Sequence, residues 1–220
     1  TVTYANNGIY DVTLTATNQY GSTTLTESAY IEVGPNGIEV FFAEDFESGL
    51  NAWTIENPDG GITWEVVTVG GTNSGSQAAK LDNYNYNASG QRDAIVSPAL
   101  DFTGRSSLRL TVDYAHRRYS QNEADSLILS ISTDDGNTYT RLFAEAEDGS
   151  GTLATGYTTT AEFIPSTPDD WCYAGVLTGC IDLDLTAYDG QGNVRLKIEN
   201  VNDYGNDMYV DNVQLSSNCF

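Results

Sequence analysis

Apolar and polar residues alternate along most of this chain with a period of two, the repeat of a β-strand that covers one face and wets the other. Leu108, Leu110, Val112 and Tyr114 alternate with polar neighbours, as do Leu127, Leu129 and Ile131, and later Val194, Leu196 and Ile198. From residue 40 onward these signals recur without a convincing amphipathic helix, so the pattern predicts an all-β domain of two packed antiparallel sheets. Residues 1–33 carry shorter runs at Tyr4, Tyr10–Thr17 and Tyr30–Val33, separated by the turn-forming Asn6-Asn7-Gly8 and Asn18-Gln19-Tyr20-Gly21-Ser22. Gly34-Pro35-Asn36-Gly37 interrupts the alternation, which predicts a first unit at 1–33, a linker at 34–39 and a larger domain at 40–220. Three strands alone have open edges, so the first unit is expected to lean on a neighbour, another chain or further sequence.

Two stretches depart from simple alternation. Phe42–Gly49 and Met208–Leu215 both mix carboxylates with apolar residues. In the second, Met208 and Val210 are even while Val213 and Leu215 are odd, so the pattern slips by one residue at Asp211-Asn212, as a β-bulge requires. A strand that turns a carboxylate inward needs a cation to meet it. Glu47 and Asp211 are therefore expected to join the first and last strands of one sandwich across a hard, oxygen-ligated ion, calcium by its chemistry. The alternative is a pair of solvated acids at strand ends.

Charge narrows the partners. The 220 residues hold 31 Asp and Glu against 9 Lys and Arg, a formal charge of −22. Such a field repels nucleic acid and anionic membrane and favours cations. Hydrophobic residues make up 40% of the chain, with 14 Tyr, 7 Phe and 3 Trp, which supplies a core and argues against disorder. No run reaches the ~18 apolar residues of a membrane span, so no membrane insertion is expected. The chain begins at Thr1 in what reads as the middle of a domain, so a longer parent protein is expected. Cys172 and Cys180 close a short loop whose spacing suits a disulfide in an oxidising compartment, leaving Cys219 odd.

Residues that could do chemistry are few. The single histidine, in Tyr114-Ala115-His116-Arg117-Arg118-Tyr119, reads as a polar strand-end residue whose pKa two arginines would depress. There is no His-Glu-x-x-His, Gly-x-Ser-x-Gly or phosphate-cradling loop, and the chain is expected not to be an enzyme. Ser132-Thr133-Asp134-Asp135-Gly136-Asn137-Thr138-Tyr139 matches the Asp-box hairpin, a turn staple in which Asp134 bonds turn amides and Gly136 takes positive φ. Asp82-Asn83-Tyr84-Asn85-Tyr86-Asn87 alternates rings with amides, a composition suited to stacking on a sugar. Tyr84 and Tyr86, extended by Tyr119 and Trp171, form the candidate ligand platform; the alternative is that these rings pack against the sandwich.

Residues Tyr4, Asn7–Asn18 and Tyr20-Gly21-Ser22 resemble the C-terminal half of a PKD domain, an immunoglobulin-like β-sandwich, without the half that carries its Trp-Asp-Phe-Gly-Asp-Gly motif. Glu44–Gly49 with Trp53, Thr63-Trp64-Glu65, Ala78–Leu81, Asp93–Pro98, Leu108–Ala115, Asp125–Leu127, Phe163–Pro165, Asp170-Trp171 and Tyr209–Val213 resemble, in order, the MAM-like and carbohydrate-binding-module-like jelly rolls of large secreted bacterial proteins. Those proteins include metallopeptidases and adhesins exported by type IX secretion. The resemblance implies a structural calcium site with Glu47 and Asp211 as side-chain ligands, main chain near Lys80 as carbonyl ligand, and Asp45 adjacent. The MAM cysteine scaffold is absent. The implied function is a non-catalytic, secreted or cell-surface accessory module, with an extracellular glycan, a protein or neighbouring domains as partner. A carbohydrate-binding module beside a hydrolase or peptidase and a subunit of an adhesin or surface filament are the alternatives.

Overall fold

The computed structural model describes residues 8–33, 38–146, 153–174 and 180–218. Strands β1 (Gly8–Asn18) and β2 (Gly21–Val33) pair into a two-stranded sheet of their own. The three expected runs thus resolve as one hairpin, with Tyr4 outside the described residues. Asn18 Oδ1 accepts the Tyr20 amide at 2.8 Å and closes its turn. One face is a ladder of hydroxyls, Thr13 to Thr26, Thr15 to Thr24 and Thr17 to Ser22. The other carries Val12, Leu14 and Ala16, with Leu14 paired to Leu25, and both leucines are largely exposed.

The remaining strands form an antiparallel β-sandwich. They are β3 (Ile38–Glu44), β4 (Thr54–Glu56), β5 (Glu65–Thr68), β6 (Gln77–Leu81), β7 (Arg92–Val96), β8 (Ser106–His116), β9 (Ser126–Ser132), β10 (Thr140–Ala146), β11 (Ile181–Asp184), β12 (Arg195–Val201) and β13 (Met208–Asn218). One sheet is ordered β10-β9-β12-β7-β4; the other is β11-β8-β13-β6-β5, with β3 also on β13. The alternating residues named from sequence do fill the space between the sheets: Leu108, Leu110, Val112, Leu127, Leu129, Ile131, Val194, Leu196 and Ile198 are all buried. Each such side chain contributes about 1.5–3 kcal/mol. Among the described residues helix is confined to two short 3-10 turns at Pro168–Asp170 and Thr186–Tyr188.

Strand β13 is the organising element. Its first half, Met208–Val210, pairs with β6, and its second half, Val213–Asn218, pairs with β3 along the same edge. On its other edge the register with β8 shifts between Asp211 and Gln214, and Asn212 has φ +48°. The slip expected at Asp211-Asn212 is therefore the point where β13 passes from one neighbour to the next. Before it Met208 and Val210 face the core; after it Val213 and Leu215 do, so both halves bury their apolar residues.

A second, smaller core lies on the outer face of the β8-β13-β6 sheet. Ala78, Ala115 and Tyr209 point there, opposite to their core-facing neighbours, and Phe163 and Trp171 from the β10–β11 connection cover them together with Val69. Trp171 Nε1 donates to Gly70 O at 2.9 Å, and Tyr209 Oη donates to Phe163 O at 2.8 Å. Cys172 bridges to Tyr114 of β8, and the Cys172–Cys180 disulfide is formed, tying the end of this connection to the start of β11. Cys219 lies outside the described residues. In the β9–β10 hairpin Asp134 accepts Thr138 N and Oγ1 at 2.9 and 2.7 Å, and Gly136 has φ +91°, as the Asp-box motif requires.

Candidate cation site and loop-end surface

The handover in β13 leaves a notch between the end of β3 and the start of β6, and the acids collect there. Asp211 is fully buried, directly across from Asp113 of β8, itself 1% exposed. Asp211 Oδ1 accepts the Asn212 amide at 2.7 Å, whereas its buried Oδ2 has no hydrogen-bond partner among the described residues. Asp113 accepts the Ala174 amide and Asn212 Nδ2, both at 2.9 Å. Burial pushes the Asp211 carboxyl up to about 8, the Asn212 amide opposes this, and the nearby charges of Asp113, Asp45 and Glu47 push it further. Burial likewise raises Asp113.

Glu47 lies in the turn after β3, not in the strand. Its Oε1 accepts the amides of Ser76 and Gln77, both at 2.6 Å, in the turn that opens β6. Gly75 leaves room for it, since a Cβ there would sit 2.2 Å from Oε1. Asp45 is beside it, 3.5 Å from Ser74 Oγ. The first and last strands of the sandwich, β3 and β13, hydrogen-bond to each other directly. Lys80 lies inside the sheet between Glu65 and Tyr209, and the β6 register places Ala78 and Gln77, not Lys80, next along toward Asp211. Asp113 was missed, because cross-strand register is invisible in a single strand's pattern. Among the described residues, no three acids, histidines or cysteines form a ready coordination shell.

Lys80 has another role. Its ammonium is 2.8 Å from Asp207, 3.3 Å from Glu162 and 3.8 Å from Asp82, and its side chain is 9% exposed. Burial raises Asp207 to about 7 against the pull of Lys80. This pair belongs to a layer of buried polar residues at the end of the sandwich where β6 and β8 stop and β13 starts. Asn83 and Asn200 hydrogen-bond to each other through their amides, at 3.1 and 2.8 Å. Asn202 Nδ2 donates to Tyr86 O, Asn206 Nδ2 to Ala161 O, and Asp125 accepts the amides of Asp203 and Gly205. Each bond ties a loop backbone to the core, so the loops are held before any partner arrives. His116, expected at a polar strand end, is fully buried in this layer with Nδ1 3.1 Å from Asp207 O.

The four candidate platform residues separate. Tyr84 is exposed and its ring meets that of Tyr119 edge-on at 6.0 Å, while the Tyr84 amide donates to Asp207 Oδ1 at 3.2 Å. Tyr86 turns the other way: it is 5% exposed and its hydroxyl donates to Asp59 at 2.7 Å. Trp171 is 1% exposed beneath the β10–β11 connection. Burial withdraws both from any surface. Tyr204, 48% exposed in the β12–β13 loop, stands at the same end and was missed, since a lone ring among Asn and Asp gives no pattern.

No protein-family model matches the chain, and no curated protein matches it. Solved structures do. The K3 cleaved adhesin domain of Lys-gingipain from Porphyromonas gingivalis W83 is 18% identical, covering 82% of this chain and 99% of that one with a TM-score of 0.56. The K1 domain of the same protein is 16% identical over 79% and 96%, with a TM-score of 0.54. The K2 domain is 20% identical over 79% and 98%, with a TM-score of 0.53. At these identities the likeness establishes the jelly-roll β-sandwich fold.

Proposed function

We propose that this chain is a non-catalytic, extracellular interaction module that binds a glycan or protein at the loop end of its jelly roll. The observation that carries the reading is the Tyr84–Tyr119 ring pair, Tyr84 exposed and Tyr119 half-buried, with the Tyr84 loop fixed from beneath by Asn83, Asn200, Asn202 and Asp207. Preset rings lose little freedom on binding. The single histidine and the carboxylates most shifted from their ordinary range, Asp93, Asp207 and Asp211, are buried away from any substrate, which supports a binding role over catalysis. That the similar Lys-gingipain domains are adhesin domains agrees with it. The β1–β2 ribbon is read as the remaining part of a PKD-like unit, in a secreted bacterial protein of the type IX kind. Screening the protein against immobilised glycans and surface proteins, then repeating the positive interactions with Tyr84→Ala, tests the reading. Binding that Tyr84→Ala leaves untouched would place the surface elsewhere.

The notch at Asp211 is read as a structural calcium site. The donor types suit a hard cation: a buried carboxylate oxygen on Asp211 without a partner among the described residues, a second buried carboxylate on Asp113, and Asp45 and Glu47 close enough to push Asp211 further up. Asp211, Asp113, Asp45 and Glu47 would hold the ion with main chain at the Ser76–Ala78 end of β6. Its chemistry would be charge neutralisation.

A further inference from the structure

At the end of the sandwich where β8 stops lies a cleft of about 270 Å³ whose lining includes Arg117, Tyr157, Thr159, Glu162, Ser166 and Asp170. From this cleft we infer a binding subsite for an uncharged pyranose, which rests on the loop-end reading above and gives it a ligand class. Arg117 is 8% exposed, yet its guanidinium lies on the cleft wall between two rings, 4.7 Å from the centre of Tyr157 and 5.1 Å from that of Phe163. One nitrogen, Nη2, donates to Asp170 Oδ1 at 2.6 Å. Among the described residues Asp170 is its hydrogen-bond partner, Nη1 packs against Gly156, and the remaining edge of the guanidinium lines the cleft.

The aim of that guanidinium is set by its surroundings. Asp170 Oδ2 accepts the amides of Ser166 and Thr167 at 2.9 and 3.0 Å and both their hydroxyls, so the carboxylate cannot swing. Burial opposes its ionisation, but the amides of Ser166 and Thr167 and the Arg117 contact outweigh this and hold the carboxyl below its usual range. Gly156 supplies the space: a Cβ there would fall 1.4 Å from Arg117 Nη1. Glu162, held by Lys80 at 3.3 Å, provides an anionic acceptor in the lining. Tyr157, 77% exposed, offers a ring at the rim.

A fixed planar donor, an acceptor, two hydroxyls and an exposed ring are what the adjacent hydroxyls and flat C–H face of a pyranose require. Selection for an uncharged sugar follows from charge. Arg117 is already balanced by Asp170, while Glu162 shares the single Lys80 with Asp207 and Asp82, so the cleft has no spare positive charge within a chain of net charge −22 that repels acidic saccharides.

The test titrates the protein calorimetrically with cello-, xylo-, galacto- and manno-oligosaccharides, and with oligogalacturonate as the acidic counterpart. At least one neutral oligosaccharide should bind. Tyr157→Ala removes the rim ring and should weaken binding about tenfold, the equivalent of about 1.4 kcal/mol, with the melting temperature unchanged. Gly156→Ala displaces the guanidinium from Asp170 and Phe163, and should weaken binding at least as much while also lowering the melting temperature. Unchanged affinity in both variants, with loss in Tyr84→Ala, would overturn the cleft subsite and leave the loop-end surface standing. Binding confined to oligogalacturonate would overturn the selection for uncharged sugars. If no saccharide binds, the sugar inference fails, and a protein ligand is what the loop end retains.

Discussion

Replacing Asp211 by Asn should stabilise the ion-free protein while abolishing its response to calcium. In the structure the Asp211 carboxyl is held at about 8, against an ordinary 3.8. A carboxyl raised on folding binds its proton more tightly in the native state, so ion-free stability is greatest near pH 4 and falls as pH rises toward 8. At pH 7 the unfolded chain gains from ionisation over roughly three pH units that the native state forgoes, which at about 1.36 kcal/mol per unit is about 4 kcal/mol. Asn does not ionise, and its side-chain oxygen can still accept the Asn212 amide that Oδ1 accepts at 2.7 Å. With chelator at pH 7, differential scanning calorimetry should therefore show Asp211→Asn melting higher than the parent, by on the order of 10 °C at about 2–4 °C per kcal/mol. With calcium at 100 times its dissociation constant the parent should gain about 2.7 kcal/mol and the variant none. A variant that melts lower than the parent in chelator, or that gains as much from calcium, would refute both the burial argument and the cation site.

Other parts of the molecule make smaller, separable predictions. Tyr209→Phe leaves Phe163 O without its donor at 2.8 Å and should cost about 1–3 kcal/mol in urea unfolding. Reducing the Cys172–Cys180 disulfide, which spans 8 positions, should lower stability by about 2–3 kcal/mol on loop-entropy grounds, measurable as a shift in denaturant midpoint. Asn83→Ala strands the amide of Asn200, and hydrogen exchange should then report faster opening of residues 82–91 than of β9. Asp134 is held down to about 2, chiefly by the Thr138 amide. A depressed carboxyl stabilises above its unfolded value near 4 and loses that as pH falls toward 2, so an Asp134→Asn variant should show a flatter stability profile in that range.

The fold was readable because burial is written into period-two alternation: Leu108 to Tyr114 and Leu127 to Ile131 need no partner's sequence to declare their inner face. The bulge at Asp211 was readable for the same reason, since a slip in register changes which residues are apolar. What the pattern does not carry is which outer face something else will cover. Trp171 and Tyr86 read as platform rings because aromatic residues among polar ones look alike whether they rest on a sugar or on Gly70 and Asp59. The segment that buries Trp171 is an irregular connection without periodicity. Asp113 and the Arg117 cleft depend on cross-strand register and on the missing side chain of Gly156, neither of which leaves a trace along one stretch of chain.

The pairing of β3 with β13 also decides how the module hangs. Ile38 sits opposite Asn218, so polypeptide reaching either strand does so at one pole, while the tyrosine pair occupies the other, beyond Met208. Eleven strand residues separate the poles, about 35 Å at ~3.3 Å per residue. Both ends of the sandwich's chain thus lie at the pole opposite the Tyr84–Tyr119 pair. Tension applied through Ile38 and Asn218 would peel β3 from β13 one pair at a time, breaking the Glu39–Arg105 ion pair early and reaching Asp45 and Glu47 only after the whole of β3 has been unzipped.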